Sequence, residues 1–378
     1  MITPFPEPVY VTKPFLPPIE QYLDGLREIW ANAWLTNGGP ILRRYTEAMV
    51  AYLGTENLCM FANGTLALQL GLHGMQLHGE VITTPFTFVA TAHALWWNQL
   101  KPVFVDIEPQ YYTLDPAAVE AAITPETSAI LAVHVFGNLC QLEALADIAR
   151  RHHLRLIYDA AHAFGVTIDG QSIATFGDLT MFSFHATKVY HSIEGGLACF
   201  TDPRLKATLN QLKNFGIVSE SEIAGPGTNA KMNEFMALMG LQVLPYMEEL
   251  IAARARLTHA YRERLSTLPG LLLPPPAPGN VTSCYAYLPI EVDETQASIS
   301  RDTLYERLKT YNVFARRYFY PLLTDCPCYE QDCRSGELPV ARRTARQILT
   351  LPLYHDLTLD SVHRICDIIA HLLGEPAA

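Results

Sequence analysis

Lys188 stands among small and polar residues between two apolar runs, Leu179–Phe184 and Leu197–Thr201, with Gly195-Gly196 just before the second. Both runs have strand composition, so the lysine is offered in a turn at a strand end. A lone loop lysine is ordinarily a solvated one. It becomes chemistry when desolvated and partnered, because a neutral lysine amine attacks carbonyl carbons. Complementary groups stand at other strand ends. Leu58–Ala62 runs into Asn63-Gly64-Thr65 and then an apolar helix. A helix start exposes unpaired N–H groups and the positive end of the dipole, which suits an anion such as phosphate. Gly64 lets backbone approach a ligand and Thr65 offers a hydroxyl, although the same turn reads as a plain helix cap. The strand Leu154–Tyr158 delivers Asp159, a helix cap or a partner for a cation. His162 and Phe88 each read as core residues or as contacts to a planar ligand, and Ser183 ends the first apolar run. Together these are a phosphate cradle, an aromatic face, a carboxylate, hydroxyls and an amine. That set is what pyridoxal 5′-phosphate requires.

The elements that must position them follow from periodicity. Residues 1–17 are proline-rich and extended. Amphipathic helices are expected over Ile19–Trp34 and Arg43–Leu53, separated by Thr36-Asn-Gly-Gly-Pro40. Apolar strands then alternate with helices as far as Phe184, which implies a largely parallel sheet covered on both faces. Ligands of such sheets bind beyond the carboxyl ends of the strands. Phe215–Thr228 reads as a polar loop, and a long helix follows from Lys231 to Leu265, which Pro245 is expected to kink. Leu273–Gly279 is a proline-rich break, followed by a smaller α/β unit with strands at Tyr285–Ile290 and Leu349–Leu351. We expect two domains, residues 1–248 and 249–378.

Composition removes several classes. The chain has 378 residues, 49% hydrophobic and 17% charged, with net charge −11. That is a globular composition with no basic surface for nucleic acid or anionic membrane. No uninterrupted apolar stretch approaches the roughly 20 residues of a membrane span, and the N-terminus does not read as a signal peptide. Several of the eight cysteines lie singly in apolar runs, which suits a reducing, cytoplasmic setting. Cys326, Cys328 and Cys333 lie close together, but without a fourth zinc ligand at a familiar spacing, so no metal is expected.

The stretches TNGGP (36–40), NGTLAL (63–68), PFTFVAT (85–91), PVFVDI (102–107), YDAAHAFG (158–165), GDLTMFSFHATK…EGG (177–196) and GTNAKMNEFMALMGLQVL (227–244) resemble, in order and spacing, the DegT-type sugar-nucleotide aminotransferases. These are fold-type I pyridoxal phosphate enzymes. The resemblance implies a large, mostly parallel seven-stranded sheet with a smaller C-terminal α/β domain. It implies Lys188 as the amine that condenses with the cofactor aldehyde and moves protons, and Asp159 as partner of the pyridinium nitrogen. His162 would contact the pyridine hydroxyl, Phe88 would stack on the ring, and Gly64, Thr65 and Ser183 would bind the phosphate. Asn229 would reach the phosphate of a neighbouring subunit in a homodimer. Asn63 departs from the serine of many relatives.

The HATK…EGG variant and the VTKPFLPP arm look most similar to enzymes that aminate dTDP-4-keto-6-deoxyglucose at C4, with L-glutamate as donor. Enzymes acting on 3-keto sugars are the alternative. Related dehydratases carry histidine in place of the lysine, and a non-catalytic regulator would not need the full residue set. His185, Arg316, Tyr318 and Tyr320 are candidate substrate contacts. For the last three, ordinary packing and a solvated arginine remain the other reading.

Overall fold

The computed structural model describes residues 2–329 and 333–374. Its centre is a sheet of strands Leu58–Phe61 (β1), Glu80–Thr83 (β2), Lys101–Phe104 (β3), Thr127–Val133 (β4), Arg155–Asp159 (β5), Leu179–Ser183 (β6), Gly196–Phe200 (β7) and Arg334–Ser335 (β8). Their order is β8-β3-β2-β4-β5-β6-β7-β1. Every pairing is parallel except those of β7, which runs antiparallel to both neighbours. The seven expected strands are present. The eighth is a two-residue edge strand that the C-terminal part of the chain lends to the sheet, clamped where Arg334 bonds the Glu80 carboxylate at 2.9 and 3.2 Å. Most side chains of β1 to β7 are buried, which is why they read as continuous apolar runs.

Register brings the chemistry together. Asp159 at the end of β5 pairs with Met181 of β6, two residues short of Ser183. Gly196 at the start of β7 sits opposite both Ser183 and Phe61. A side chain at Gly196 would meet the Asn63 carbonyl at 2.3 Å, so only glycine lets β7 enter beside the Asn63 turn.

A second core lies around the sheet Leu271–Leu272, Leu288–Val292 and Ile348–Leu351 and the helix Leu359–Gly374. The N-terminal arm packs there. Val9–Tyr10 pairs with Val313–Phe314, and Phe5 and Val9 join that core. The start of the arm therefore lies against the C-terminal unit, while Phe15 near its end packs against the first core. The helix expected from Lys231 to Leu265 is two helices, Glu234–Val243 and Met247–Leu265, joined by a tight turn at Leu244–Tyr246 that holds Pro245. By composition this run is long and apolar enough to cross a membrane. It carries the buried Glu234 and Arg254, and its apolar residues are shared between the cores, Met247 and Leu250 in the first and Leu257, Tyr261 and Leu265 in the second. The proposed division at 248/249 falls in the first turn of the second helix.

The strand expected over Tyr285–Ile290 instead covers Leu288–Val292. Arg254 is the reason: its buried guanidinium donates to the carbonyls of Tyr285 and Ala286 at 3.3 and 3.2 Å and to Leu353 at 3.0 Å. Those carbonyls are satisfied by a side chain and take no part in a ladder. The loop Phe215–Thr228 contains a short hairpin, Ile217–Ser219 with Glu222–Ile223, whose apolar residues are exposed.

Glu234 ties the N-terminal helices to this framework. Its carboxylate accepts the N–H groups of Ile41 and Leu42 at 2.8 and 3.1 Å, at the start of the helix Pro40–Leu53. Gly39 makes room, since a side chain there would meet that carboxylate at 2.5 Å. Removing the Glu234 carboxylate takes the acceptor from the buried Ile41 amide and the half-buried Leu42 amide. We expect Glu234→Ala to lower stability by about 2 kcal/mol, read as a lower urea midpoint with an unchanged slope.

Candidate active site

The carboxyl ends of the strands open into a cavity of about 740 Å³. Of the residues predicted from the sequence, Gly64, Thr65, Phe88, Asp159, His162, Ser183, His185, Lys188, Arg316 and Tyr318 all line it. Asn229 and Tyr320 do not. Asn229 is exposed and lies in a backbone bridge with Asn214, so any role at a phosphate requires a second subunit. Tyr320 is a correction. Its ring is half exposed and lies 5.1 Å from the guanidinium of Arg301 and 5.3 Å from that of Arg317, which hold it outside the cavity.

The Asn63 turn is built as a cradle. Asn63 caps the helix Gly64–Gly74, its side chain accepting from Leu66 N at 2.8 Å. Asparagine thus does the capping work, and the first amides of the helix face outward. A side chain at Gly64 would meet the Ser183 Cβ at 2.8 Å, so the hydroxyl of Ser183 and the helix start are brought close by the absence of one.

Asp159 is buried and held from two sides. Thr91 donates to one oxygen at 2.8 Å, and the Ala161 amide donates to the other at 3.1 Å. Thr91 and Thr87 hydroxyls are themselves 2.9 Å apart. Burial raises the Asp159 pKa; these hydrogen bonds and the Lys188 charge oppose the rise. A carboxylate that burial disfavours is one that gains from a cationic neighbour.

Lys188 is the counterpart. Its amide donates to the His185 carbonyl at 2.9 Å, closing a turn just past β6. Its Nζ lies 5.9 Å from the centre of the Tyr287 ring. Burial lowers its pKa to about 8, opposed by Tyr318 and Asp159. The His162 ring lies nearly parallel to those of Phe136 and Phe319, with centroids at 6.5 and 5.9 Å, and its Nδ1 accepts the Phe136 amide at 3.2 Å. Burial, then Lys188, hold it well below the usual histidine pKa. It is neutral, and with Nδ1 accepting, its proton sits on Nε2. Phe88 precedes the helix Val89–Trp97 and is 58% exposed on the cavity wall.

Sequence reasoning missed Thr91, Tyr287, Phe319 and Glu194, which also line the cavity. Thr91 and Glu194 sit inside the quoted PFTFVAT and EGG stretches, so their positions were visible and their roles were not. Tyr287 was hidden in a misplaced strand. The cysteine loop carries no comparable arrangement. Cys326 and Cys333 pack against a small cluster of Ala92, Phe104, Leu323 and Tyr329. Among the described residues, no group of three or more His, Cys, Asp or Glu side chains is placed to hold a metal. Residues 330–332 lie outside the described residues.

The donor set fits pyridoxal phosphate on this geometry: an amine poised to lose its proton, a buried carboxylate held by the Thr91 hydroxyl and the Ala161 amide, a neutral imidazole N–H, and a helix start opened by a glycine. The charge of Lys188 has a direct readout. Without added cofactor, labelling of Lys188 by an amine-specific reagent should reach half its maximal rate near pH 8, against about 10.4 for an exposed lysine. Asp159→Asn should move that midpoint lower still, because removing a negative neighbour favours the uncharged amine. Peptide mapping across a pH series measures both.

The DegT/DnrJ/EryC1/StrS aminotransferase family matches residues 19–370. A dTDP-4-amino-4,6-dideoxy-D-glucose transaminase of Shigella dysenteriae is 42% identical over 97% of this chain and 99% of its own. One of Escherichia coli is 40% identical over 95% and 97%. Among solved structures, DesI in the presence of its TDP-sugar product superposes with a TM-score of 0.92 at 37% identity, covering 98% of this chain and 94% of that one. DesV of S. venezuelae, in complex with a ketimine intermediate, gives 0.87 at 28% identity over 95% and 96%. With a full-length match of this kind around an intact lysine–aspartate cavity, the chain belongs to the DegT/DnrJ/EryC1/StrS aminotransferase family.

Proposed function

We propose that this protein transfers an amino group from L-glutamate to C4 of dTDP-4-keto-6-deoxyglucose, using pyridoxal phosphate, in a homodimer with shared active sites. The observation that carries the reading is Lys188 and Asp159 together on one cavity at the strand ends, in a chain whose curated relatives at 40–42% identity are named for the 4-amino product. When bound, the cofactor supplies an aldehyde that condenses with amines and a ring that accepts the electrons of a carbanion.

The chain's own residues do the rest. Asp159 sits where a carboxylate can keep a ring nitrogen protonated. His162 offers Nε2–H to a ring hydroxyl. The amides of Gly64 and Thr65, with the Ser183 hydroxyl, offer phosphate donors, and Asn229 of a partner subunit adds one more. Phe88 is free to cover a ring face. Lys188 Nζ is uncharged above about pH 8, so in that range it can take a proton from the carbon bearing the donor amine and deliver it to the carbon that was the cofactor's aldehyde, on the other side of the nitrogen. Arg316, exposed and bonded to the Tyr318 hydroxyl at 3.3 Å, offers a cation at the mouth for an anionic substrate. Cys59, Cys140, Cys199, Cys284 and Cys366 are buried as free thiols, which suits a cytoplasmic enzyme.

Lys188→Ala should lose at least about 10³-fold in turnover and, mixed with pyridoxal phosphate, lack the absorbance that marks condensation with an amine. Near-normal turnover and spectrum in that variant contradict the reading. Wild-type protein should form 2-oxoglutarate from glutamate faster with the dTDP-4-keto sugar than with the dTDP-3-keto sugar. A reversed preference selects the 3-aminotransferase instead.

A further inference from the structure

The loop after Lys188 contains an outlier that packing does not explain. Ile193 has φ +70°, the left-handed region that β-branched residues avoid. It is also 43% exposed, so no core contact rewards the conformation. The surrounding bonds over-determine it. The Ile193 amide donates to His191 Nδ1 at 3.2 Å, and the other nitrogen of that ring lies 2.6 Å from the Phe15 carbonyl. The Ser192 hydroxyl donates to the Glu194 carbonyl at 2.9 Å, and Phe184 N donates to the Gly195 carbonyl at 2.8 Å. Strain of this kind persists where its consequence is functional. The consequence here is that the next residue, Glu194, lines the active-site cavity.

There Glu194 faces His185. Oε1 and Nε2 are 3.6 Å apart, beyond a direct hydrogen bond. The Thr187 amide donates to His185 Nδ1 at 3.2 Å, so neutral His185 carries its proton on Nε2, towards Glu194. The pair is thus a donor and an acceptor with a gap between them. A hydroxyl fits both, accepting from Nε2–H and donating to the carboxylate. Both side chains are half exposed at 46%, within reach of a bound molecule.

We infer that Glu194 and His185 form the subsite that grips a hydroxyl of the hexose ring, and that Glu194 sets the cavity's preference in the second half-reaction. This deepens the proposed function and rests on it. Chemistry separates the two substrates. The amino donor carries two carboxylates and no hydroxyl, so a fixed carboxylate repels it. The diphosphate of the sugar nucleotide is anionic as well and suits the Arg316 side. Neutral hydroxyl donors come from the sugar nucleotide, and its hexose is the ring whose reacting carbon must reach Lys188, on the same cavity as Glu194.

The test uses cofactor-loaded wild type and Glu194→Gln. Affinity for the dTDP-4-amino-4,6-dideoxyglucose product is read by calorimetry, and the half-reaction with glutamate by stopped-flow absorbance. The inference expects Glu194→Gln to bind the product about tenfold more weakly, while its reaction with glutamate is unchanged or improved. Ile193→Gly, which relieves the left-handed strain, should also weaken product binding without lowering the melting temperature. Equal product affinity in wild type and Glu194→Gln overturns the inference. So does a matching loss in the glutamate half-reaction, which marks Glu194 as a mere support for the loop. Wild-type protein that reacts with glutamate but neither binds nor aminates any dTDP-sugar overturns the proposed substrate instead.

Discussion

A carboxyl and an amine that both resist being charged share one interior, and each opposes the shift that burial imposes on the other. Burial pushes Asp159 upward and Lys188 downward, and the attraction between them opposes both shifts. Neither position is stable as an ordinary surface charge or as an ordinary core residue. The fold is arranged to keep them in that condition. Parallel register sets β5 beside β6, so that Asp159 and the turn holding Lys188 leave the sheet on the same edge. Thr91 and the Ala161 amide fix the carboxylate, and the Lys188 amide is fixed on the His185 carbonyl.

The far wall of the cavity comes from elsewhere in the chain, and its placement depends on a few polar anchors. Arg254 draws in the backbone before Tyr287, and that phenol ring then faces the lysine. The bond pair between Arg316 and Thr350 attaches the Arg316–Tyr318 stretch to the C-terminal sheet. Arg334 and Glu80 bind an edge strand of the C-terminal part to the large sheet. A buried arginine or glutamate of this kind is expensive to leave unpaired, so each anchor fixes one arrangement more sharply than apolar contact alone. The cavity is consequently a joint product of two cores that meet along the helix Met247–Leu265.

The sequence announced the large sheet because its strands are buried on both faces and read as unbroken apolar runs. It announced the cradle and the lysine turn because glycine and small residues are required where backbones approach, as at Gly64 and Gly196. It misplaced the strand at Tyr285 because a distant arginine, invisible to local pattern, claims those carbonyls. Tyr318 and Tyr320 look alike as candidate substrate contacts in the local sequence, yet two guanidinium groups hold Tyr320 outside. Thr91, Glu194 and Tyr287 carry no distinctive spacing; their roles emerge only from what the fold sets beside them. The edge strand Arg334–Ser335 is too short to leave a periodic signal.

The most direct measurement of the central claim is chemical. The protein is loaded with pyridoxal phosphate, treated with borohydride to reduce any imine to a stable secondary amine, digested and mapped by mass spectrometry. The account predicts stoichiometric modification on the peptide containing Lys188 and its loss in the presence of excess glutamate, which draws the cofactor off the lysine. Modification at another lysine, or none under conditions where the protein turns over, contradicts it.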